Sequence, residues 1–510
     1  MNTEKNSSAA IRWGVALLGV VALVAIGLAE DRLAPSRAGA PDRQVVVGPQ
    51  GAQRGFIGLP NVNTVSVQNT LTTATNITVM FALMDGTPIN TVVDTLPPES
   101  MRIYADPGGV SGQGHIEAVA DVSGFGDRLL VFGTNFELSE KGNDAYLGLE
   151  WADEIFLSQV STYDNLLPLV TKNYAGWTTA FTVQNTQAYA AANVLLTFYD
   201  QTGIQFPPEF VVIDVGGSRP FNLAYMPEIP DGFIGSIVIP SDQPVSVTSV
   251  RMYHTALGLR GAYPAINRRD TDTTLMAPAL FKASDMQTSE LCVQNVGDFS
   301  SKVDVAYTDG VINTVTLNPW ASHCFDQGAE AHVPGWSGGA LITGDSELAG
   351  VVSVTAYSGD TPVGRWMYSI PPLEQVASGA VALPLLFNDS LSWTSTVHLF
   401  NWGDSQAVVV PRYVSFSHPE GFVHCAQPIT IPAESAVSIP QSELPPFIDI
   451  ATGYFTTTQP VAAVVSVASD KPIGDTDRHF GYGAGYPATR IDPQKPCDKV
   501  REVFVPIVLK

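Results

Sequence analysis

A phrase built around one proline returns along this chain at nearly constant intervals. It reads "NLLPLVTKN" (165–173), "LMAPALFKA" (275–283), "VALPLLFND" (381–389) and "VFVPIVLK" (503–510), with a weaker "FIGLPNVN" at 56–63. The prolines stand at 60, 168, 278, 384 and 506, spaced by 108, 110, 106 and 122 residues. Solenoid turns and propeller blades repeat every ~20–50 residues, so a period near 110 describes a domain-sized unit. A second landmark keeps the register: "SVQN", "TVQN", "CVQN" and "HLFN" end on Asn69, Asn185, Asn295 and Asn401. In the last three units that Asn follows the proline by 17 residues, and in the first by only 9. A strand running into a turn comes next in each unit, as in "TFYDQTG" (197–203) and "VAYTDG" (305–310). Units two and four close on "GAYPA" (261–265) and "AGYPA" (484–488).

Within a unit, short Val-, Thr- and aromatic-rich runs alternate with Gly, Pro, Asn and Asp, and no convincing helical period appears after residue 30. This predicts an all-β chain of tandem sandwiches, each with about seven strands in an immunoglobulin-like or fibronectin-like outline. The expected boundaries are 54–164 (an atypical first unit), 165–273, 274–379 and 380–502, with 503–510 as an additional strand. Proline cannot donate to a ladder, so the phrase itself predicts an edge strand or a bulge. The expected arrangement is an elongated row of units that touch only at their linkers.

Lys5 and Arg12 precede an uncharged run from Trp13 to Ala29, followed by Glu30 and Asp31. Residues 1–29 therefore read as a signal peptide or, if uncleaved, a membrane anchor, and 30–53 as a flexible spacer rich in Pro and Gly. The body of the chain is expected outside the cytoplasm, with membrane contact only through that segment. A net charge of −23 argues against nucleic acid as a partner.

Chemistry is sparse. "PGWSGGA" (334–340) places Ser337 in a protease-like context, but neither His323 nor His332 has the setting of its base, and the stretch aligns with a plain turn at 230–239. No metal-ligand spacing occurs among the eight histidines, and no cofactor is expected. Acidic "RRDTDTT" (268–274) and "GDTDRH" (474–479) could hold Ca²⁺ but read more simply as solvated loops. Trp320, Trp336, Trp366 and Trp402 could stack on sugars or pack internally. Four cysteines, two in each of the last two units, suggest disulfides 292–324 and 425–497 out of three possible connectivities, reduced buried thiols being the alternative. The four residues concerned are Cys292, Cys324, Cys425 and Cys497.

"LLPLVTKNYAGWTTAFTVQN" (166–185) and the closing "VFVPIVLK" resemble secreted repeat proteins of Chloroflexota-type bacteria, whose units begin on similar "LPLV.KNY.GW" phrases. Unit one departs from that pattern. The resemblance implies an exported, surface-associated β-repeat protein and carries over no catalytic residue. The functional expectation is a non-enzymatic structural or adhesive protein of the cell surface or matrix. A polysaccharide-binding array is the alternative, and a self-assembling filament subunit a second one. Its partners would be cell-surface or matrix proteins, polysaccharide, or itself. Five copies of the first-strand phrase for four unit bodies leave one strand spare: Val503, Phe504, Val505, Pro506, Ile507, Val508 and Leu509. That strand either folds back on unit four, adds to unit one of another molecule, or serves as a sorting signal.

Overall fold

The computed structural model describes residues 52–491, apart from 58–63, 70–72, 84, 106–113, 122–128, 139–148, 158–161, 188, 254–259, 360, 377–378, 389–392, 416–422, 446–447, 470–481 and 488. The 1–29 and 30–53 assignments (but for the first two residues of a strand at Ala52–Ile57), Pro60, the "GDTDRH" loop, Cys497 and 503–510 lie outside the described residues. The chain is all-β, and none of its described helical turns is long and apolar enough to cross a membrane.

One antiparallel pairing order recurs four times. Numbering strands within a unit, one sheet runs fourth–third–sixth–first and the other fifth–second–seventh–eighth. In unit two these strands are Thr162–Lys172, Trp177–Asn185, Ala192–Asp200, Glu209–Ile213, Ser218–Asn222, the long Phe233–Tyr253 and Arg260–Pro264. Phe233–Tyr253 serves as sixth and seventh strand together: its start pairs with Thr162–Lys172 and its end with Trp177–Asn185. Trp336–Ser358 does the same in unit three, whereas unit four breaks the strand into Ile450–Thr457 and Val461–Ser469 around Gln459 and Pro460. Each unit thus has eight shared strand positions rather than seven, and units two and four add a short strand beside the first, Ile266–Asn267 and Thr489–Ile491. The first strand ladders along the sixth in every unit, and among the described residues only in unit three does its end also pair with the second, at Lys282↔Thr288 and Ser284↔Gln287, which departs from the immunoglobulin order.

The proline phrase has a shared physical role. Opposite Pro168 the ladder jumps from Gly235↔Val170 to Ile237↔Leu167, and the same jump occurs beside Pro278 and Pro384. Proline lacks the donor a ladder needs, so the strand bulges there and the next residue loses its backbone partners. Tyrosine supplies them. The Tyr263 hydroxyl donates to Leu169 O at 2.6 Å and accepts from Leu169 N, and Tyr368 does likewise for Ala279. Both rings are fully buried. Tyr263→Phe should therefore cost about 1–3 kcal/mol, because it strands a buried carbonyl and N–H. Equilibrium urea unfolding would measure it, and an unchanged midpoint would refute this role. Three residues after the proline, the N–H of Thr171 finds Thr179 Oγ1 and that of Phe387 finds Ser395 Oγ, both at 2.9 Å. Four residues after it, Lys172 Nζ donates to Met226 O and Ile229 O, Lys282 Nζ to Glu330 O, and Asn388 Nδ2 to three carbonyls of 444–448.

The Asn landmark is structural as well. Each is the last residue of its second strand, and each Nδ2 donates to three carbonyls: Thr73, Leu96 and Pro97 for Asn69; Ala190, Ile213 and Asp214 for Asn185; Phe299, Leu317 and Asn318 for Asn295; Ser405, Ile431 and Pro432 for Asn401. One amide thereby closes the following turn and fastens the corner after the fourth strand, where the backbone leaves the sheet with free acceptors.

The units do not form a row that touches only at linkers. Unit one meets unit two where the turn at Gly86 (φ +83°) approaches Gly216 so closely that a Cβ would lie 2.8 Å from its carbonyl oxygen. Cys292, Val351 and Met367 of unit three join the apolar core of unit two. Met276 and Val376 of unit three pack with Phe400 and Ala462 of unit four. Unit four returns to unit one: Met101 belongs to its core, Gln68 Nε2 bonds Thr452 Oγ1, and Arg412 pairs with Glu99. The eighth strands, Leu149–Leu157, Arg260–Pro264, Thr361–Ser369 and Tyr482–Pro487, lie against one another, so the arrangement closes into a ring.

Candidate functional site

Unit two opens between its two edge strands. Glu209–Ile213 and Ser218–Asn222 each have one ladder partner, and between them lies a cleft of about 970 Å³. Phe198, Phe221, Met226 and Ile229 form a buried apolar floor. A 3-10 turn at Leu223–Tyr225, capped by Asn222 Oδ1 accepting from Ala224 N, lifts Tyr225 into solvent on one wall. "QFPPEF" builds the other, with Pro207, Pro208, Glu209 and Phe210. Tyr225 is 85% and Phe210 57% exposed, so their rings are free to take a flat ligand.

Unit three fills the corresponding space. There His332 stacks on Trp336 at 3.9 Å and meets Tyr307 edge-on at 4.6 Å, with Nδ1 2.7 Å from Asp309 Oδ2 and Nε2 2.9 Å from Gln327 Oε1. Tyr307 and Trp336 stand at the ladder positions of Phe198 and Phe233 in unit two. The cleft is thus a position left open in one copy and plugged in the next.

The residues picked out in the sequence fall elsewhere. Trp336 and Trp366 are buried, Trp320 lies under the Arg268 guanidinium at 4.8 Å, and Trp402 packs edge-on against Phe400. None of the four offers a sugar an open face of the kind Tyr225 and Phe210 do. Tryptophan content does not point to those two; the sequence signal for them is the pairing of aromatics with prolines in "QFPPEF" (205–210) and "AYMPEIP" (224–230).

Ser337 borders a cavity of about 120 Å³ that His398 also lines. Both His398 nitrogens are already engaged, by Ser438 Oγ at 2.8 Å and Ser466 Oγ at 2.9 Å. Burial pulls the His398 pKa down to about 3, so the ring is neutral and locks the two strands to either side. The 268–274 segment is not a loop: Arg268–Asp270 form a 3-10 turn, Asp272–Ser284 is the first strand of unit three, Asn267 Oδ1 accepts from Arg269 N, and Thr271 Oγ1 donates to Arg268 O.

Cys292 and Cys324 face each other across the second and fifth strands of unit three and are joined, with Cα atoms 4.0 Å apart. Cys425 is also disulfide-bonded, while Cys497 lies outside the described residues. Among the described residues, the one group of three potential metal ligands is Glu290, Cys292 and Cys324, whose sulfurs the disulfide consumes. Cys292→Ser with Cys324→Ser should lower stability by about 3–4 kcal/mol in the chain-entropy model for this loop. Comparison of oxidised wild type with the double variant in guanidinium would read the loss; equal midpoints would contradict it.

Glu290, on unit three, is the charge centre of the joint with unit two. Its Oε2 lies 2.6 Å from Arg251 Nη1 and 3.8 Å from Arg365 Nη2. Arg365 in turn lies flat on Trp177 of unit two, 3.7 Å from the ring centroid. Both guanidinia are 2% exposed. Burial raises the Glu290 pKa, but the two arginines outweigh it and hold the carboxyl below its ordinary value. Burial and the Arg251 charge pull Arg365 well below the ordinary arginine value.

No protein-family model matches the chain, and no curated protein matches it. Among solved structures, the crystal structure of Thermotoga maritima 1070 is similar at 12% identity and a TM-score of 0.18, over 19% of this chain and 91% of that one.

Proposed function

We propose that the chain is a non-enzymatic structural or adhesive protein of the cell exterior, built of tandem sandwich domains behind a signal or anchor at 1–29. The observation that carries this reading is the contrast between polar groups and cleft. The buried His398, the landmark asparagines and the Glu290 cluster are engaged in holding strands and units together. The unit-two cleft, by contrast, presents aromatic and proline surface outward, as a binding face does. Labelling intact producing cells with an antibody to units two and three tests the location. Deleting the gene, then restoring it with Phe210→Ala and Tyr225→Ala, tests adhesion. Labelling only after lysis, or adhesion unchanged by deletion, would overturn the proposal.

The polysaccharide-binding reading is favoured by the exposed Tyr225 and Phe210 rings. The filament reading draws on the residue four places after the bulge proline, where Lys172 and Lys282 cap loop carbonyls. Lys510 stands at the same offset from Pro506. A variant lacking 503–510 that still formed filaments in negative stain would exclude strand exchange.

A further inference from the structure

The cleft of unit two has a chemical bias beyond its shape. Its charged lining residues are Glu209 and Glu228, both acceptors, with Asp231 exposed just past them. Two cations neighbour the cleft and both are already engaged: Arg219 is drawn over the Phe221 ring at 5.4 Å, and the buried Lys172 donates to Met226 O and Ile229 O from beneath the floor, 3.9 Å from Asp231. Ionised carboxylates accept hydrogen bonds and donate none. A ligand seated against these carboxylates must therefore bring donors to them, and positive charge is favoured over negative there.

Two polymer classes present flat apolar surface to exposed aromatic rings: glycans and extended peptides. Prolines decide between them. A peptide that adds as a strand needs backbone donors along the sheet edge, and Pro220 removes one within Ser218–Asn222. Pro207 and Pro208 remove two more just before Glu209–Ile213. A proline-rich peptide offers the cleft mainly carbonyl acceptors, which match poorly with carboxylates. A sugar chain offers hydroxyl donors at its ring edge and C–H faces for Tyr225 and Phe210. An amine in place of a hydroxyl adds the charge that Glu209 and Glu228 complement.

We propose that this cleft binds an amino-sugar polymer carrying free amines. The inference rests on the reading of the cleft as a binding face and names its ligand class. The amines meet the two carboxylates on the rim, and the pyranose rings lie over Tyr225 and Phe210 above the Phe198–Phe221 floor. The equivalent space in unit three, closed by His332, Tyr307 and Trp336, takes no part.

Calorimetric titration of the full chain at mildly acidic pH tests this with four probes: glucosamine hexasaccharide, its fully N-acetylated form, cellohexaose, and a proline–arginine peptide. The expected result is binding of the glucosamine hexasaccharide at least about tenfold tighter than of the two neutral sugars. Tyr225→Ala should weaken it about tenfold or more, and Glu209→Gln with Glu228→Gln should abolish the preference for amines. Both rings are exposed, so unchanged melting of the variants certifies their folding. Equal binding of all three sugars, lost in Tyr225→Ala, overturns the amine requirement and leaves the cleft as a binding face. Tighter binding of the peptide, or no binding of any sugar, overturns the proposal itself. The adhesion phenotype on intact cells is read separately, so failure here is distinguishable from failure of the functional reading.

Discussion

Glu290→Gln is expected to destabilise the protein by about 3–5 kcal/mol, more than any other single substitution on its surface or at its joints. The change keeps the side chain's shape but removes the charge and turns one acceptor oxygen into a donor amide, which leaves the buried guanidinia of Arg251 and Arg365 without a counter-ion. The Trp177 face eases Arg365 by cation–π attraction, typically about 1–2 kcal/mol, which cannot replace a carboxylate. Replacing all three charged residues with apolar ones of similar volume should recover much of the loss, since an ion cluster of this kind is needed mainly because its parts are already buried. Denaturant unfolding of the single and triple variants would measure both values; a Glu290→Gln protein as stable as wild type would refute the account.

The same site gives the protein a direction in pH. The folded-state pKa of Glu290 is lowered, so its contribution is present above the unfolded carboxylate value and is lost as pH falls through the folded one. His398 adds to this in an earlier window. Its pKa of about 3 in the folded state lies below the ordinary 6.5, so the unfolded chain takes up the proton first. Stability should then fall between pH 6.5 and about 3, by up to ~1.4 kcal/mol per pH unit for that one group. A His398→Gln variant should show a flatter profile across that window.

Asn295→Leu comes next in size, at about 3 kcal/mol. The leucine keeps the volume but strands the carbonyls of Phe299, Leu317 and Asn318, and the Gly297 N–H that Asn295 Oδ1 accepts. Because Asn185 and Asn401 hold matching sets of bonds, the corresponding substitutions should cost similar amounts. Differential scanning calorimetry of the three variants would test this. A large loss at one and none at the others would show that the shared geometry does not carry shared energy.

The repeat was legible because its markers are residues with backbone consequences. A proline forces a bulge and a buried amide collects carbonyls, so each recurs wherever the same chain path recurs. The partner of the bulge was not legible. Tyr263 lies 95 residues beyond Pro168, and nothing local ties the two together. In unit three the tyrosine stands in "MYSIP" rather than "AYP", which hides the equivalence. Closure of the units was concealed for a different reason. Alternation along Trp177–Asn185 and its neighbour predicts a solvated outer face, and the residues there are indeed polar: Thr178, Thr182, Gln184, Ser246 and Thr248. All five are buried, at 1–3% exposure. A polar face carries no hydrophobic signature when it is covered, so pattern alone reads it as open. The cleft is illegible for the opposite reason: a phenylalanine on an edge strand and a tyrosine on a 3-10 turn read as ordinary core residues until the walls that flank them are seen.

The return of unit four to unit one sets a timetable for biogenesis. Gln68 meets Thr452 across 384 residues of chain, so this joint cannot form until nearly the whole polypeptide exists. At ~5–20 residues per second of synthesis, the first unit waits roughly 20–80 s for its neighbour. During that interval the surface around Gln68, Asn69 and Met101 is bare. A second nascent chain that reaches it first can occupy the place meant for the late-arriving unit, so crowded synthesis favours exchanged dimers over closed single molecules. Slowing initiation should shift the product toward monomer without altering a single residue.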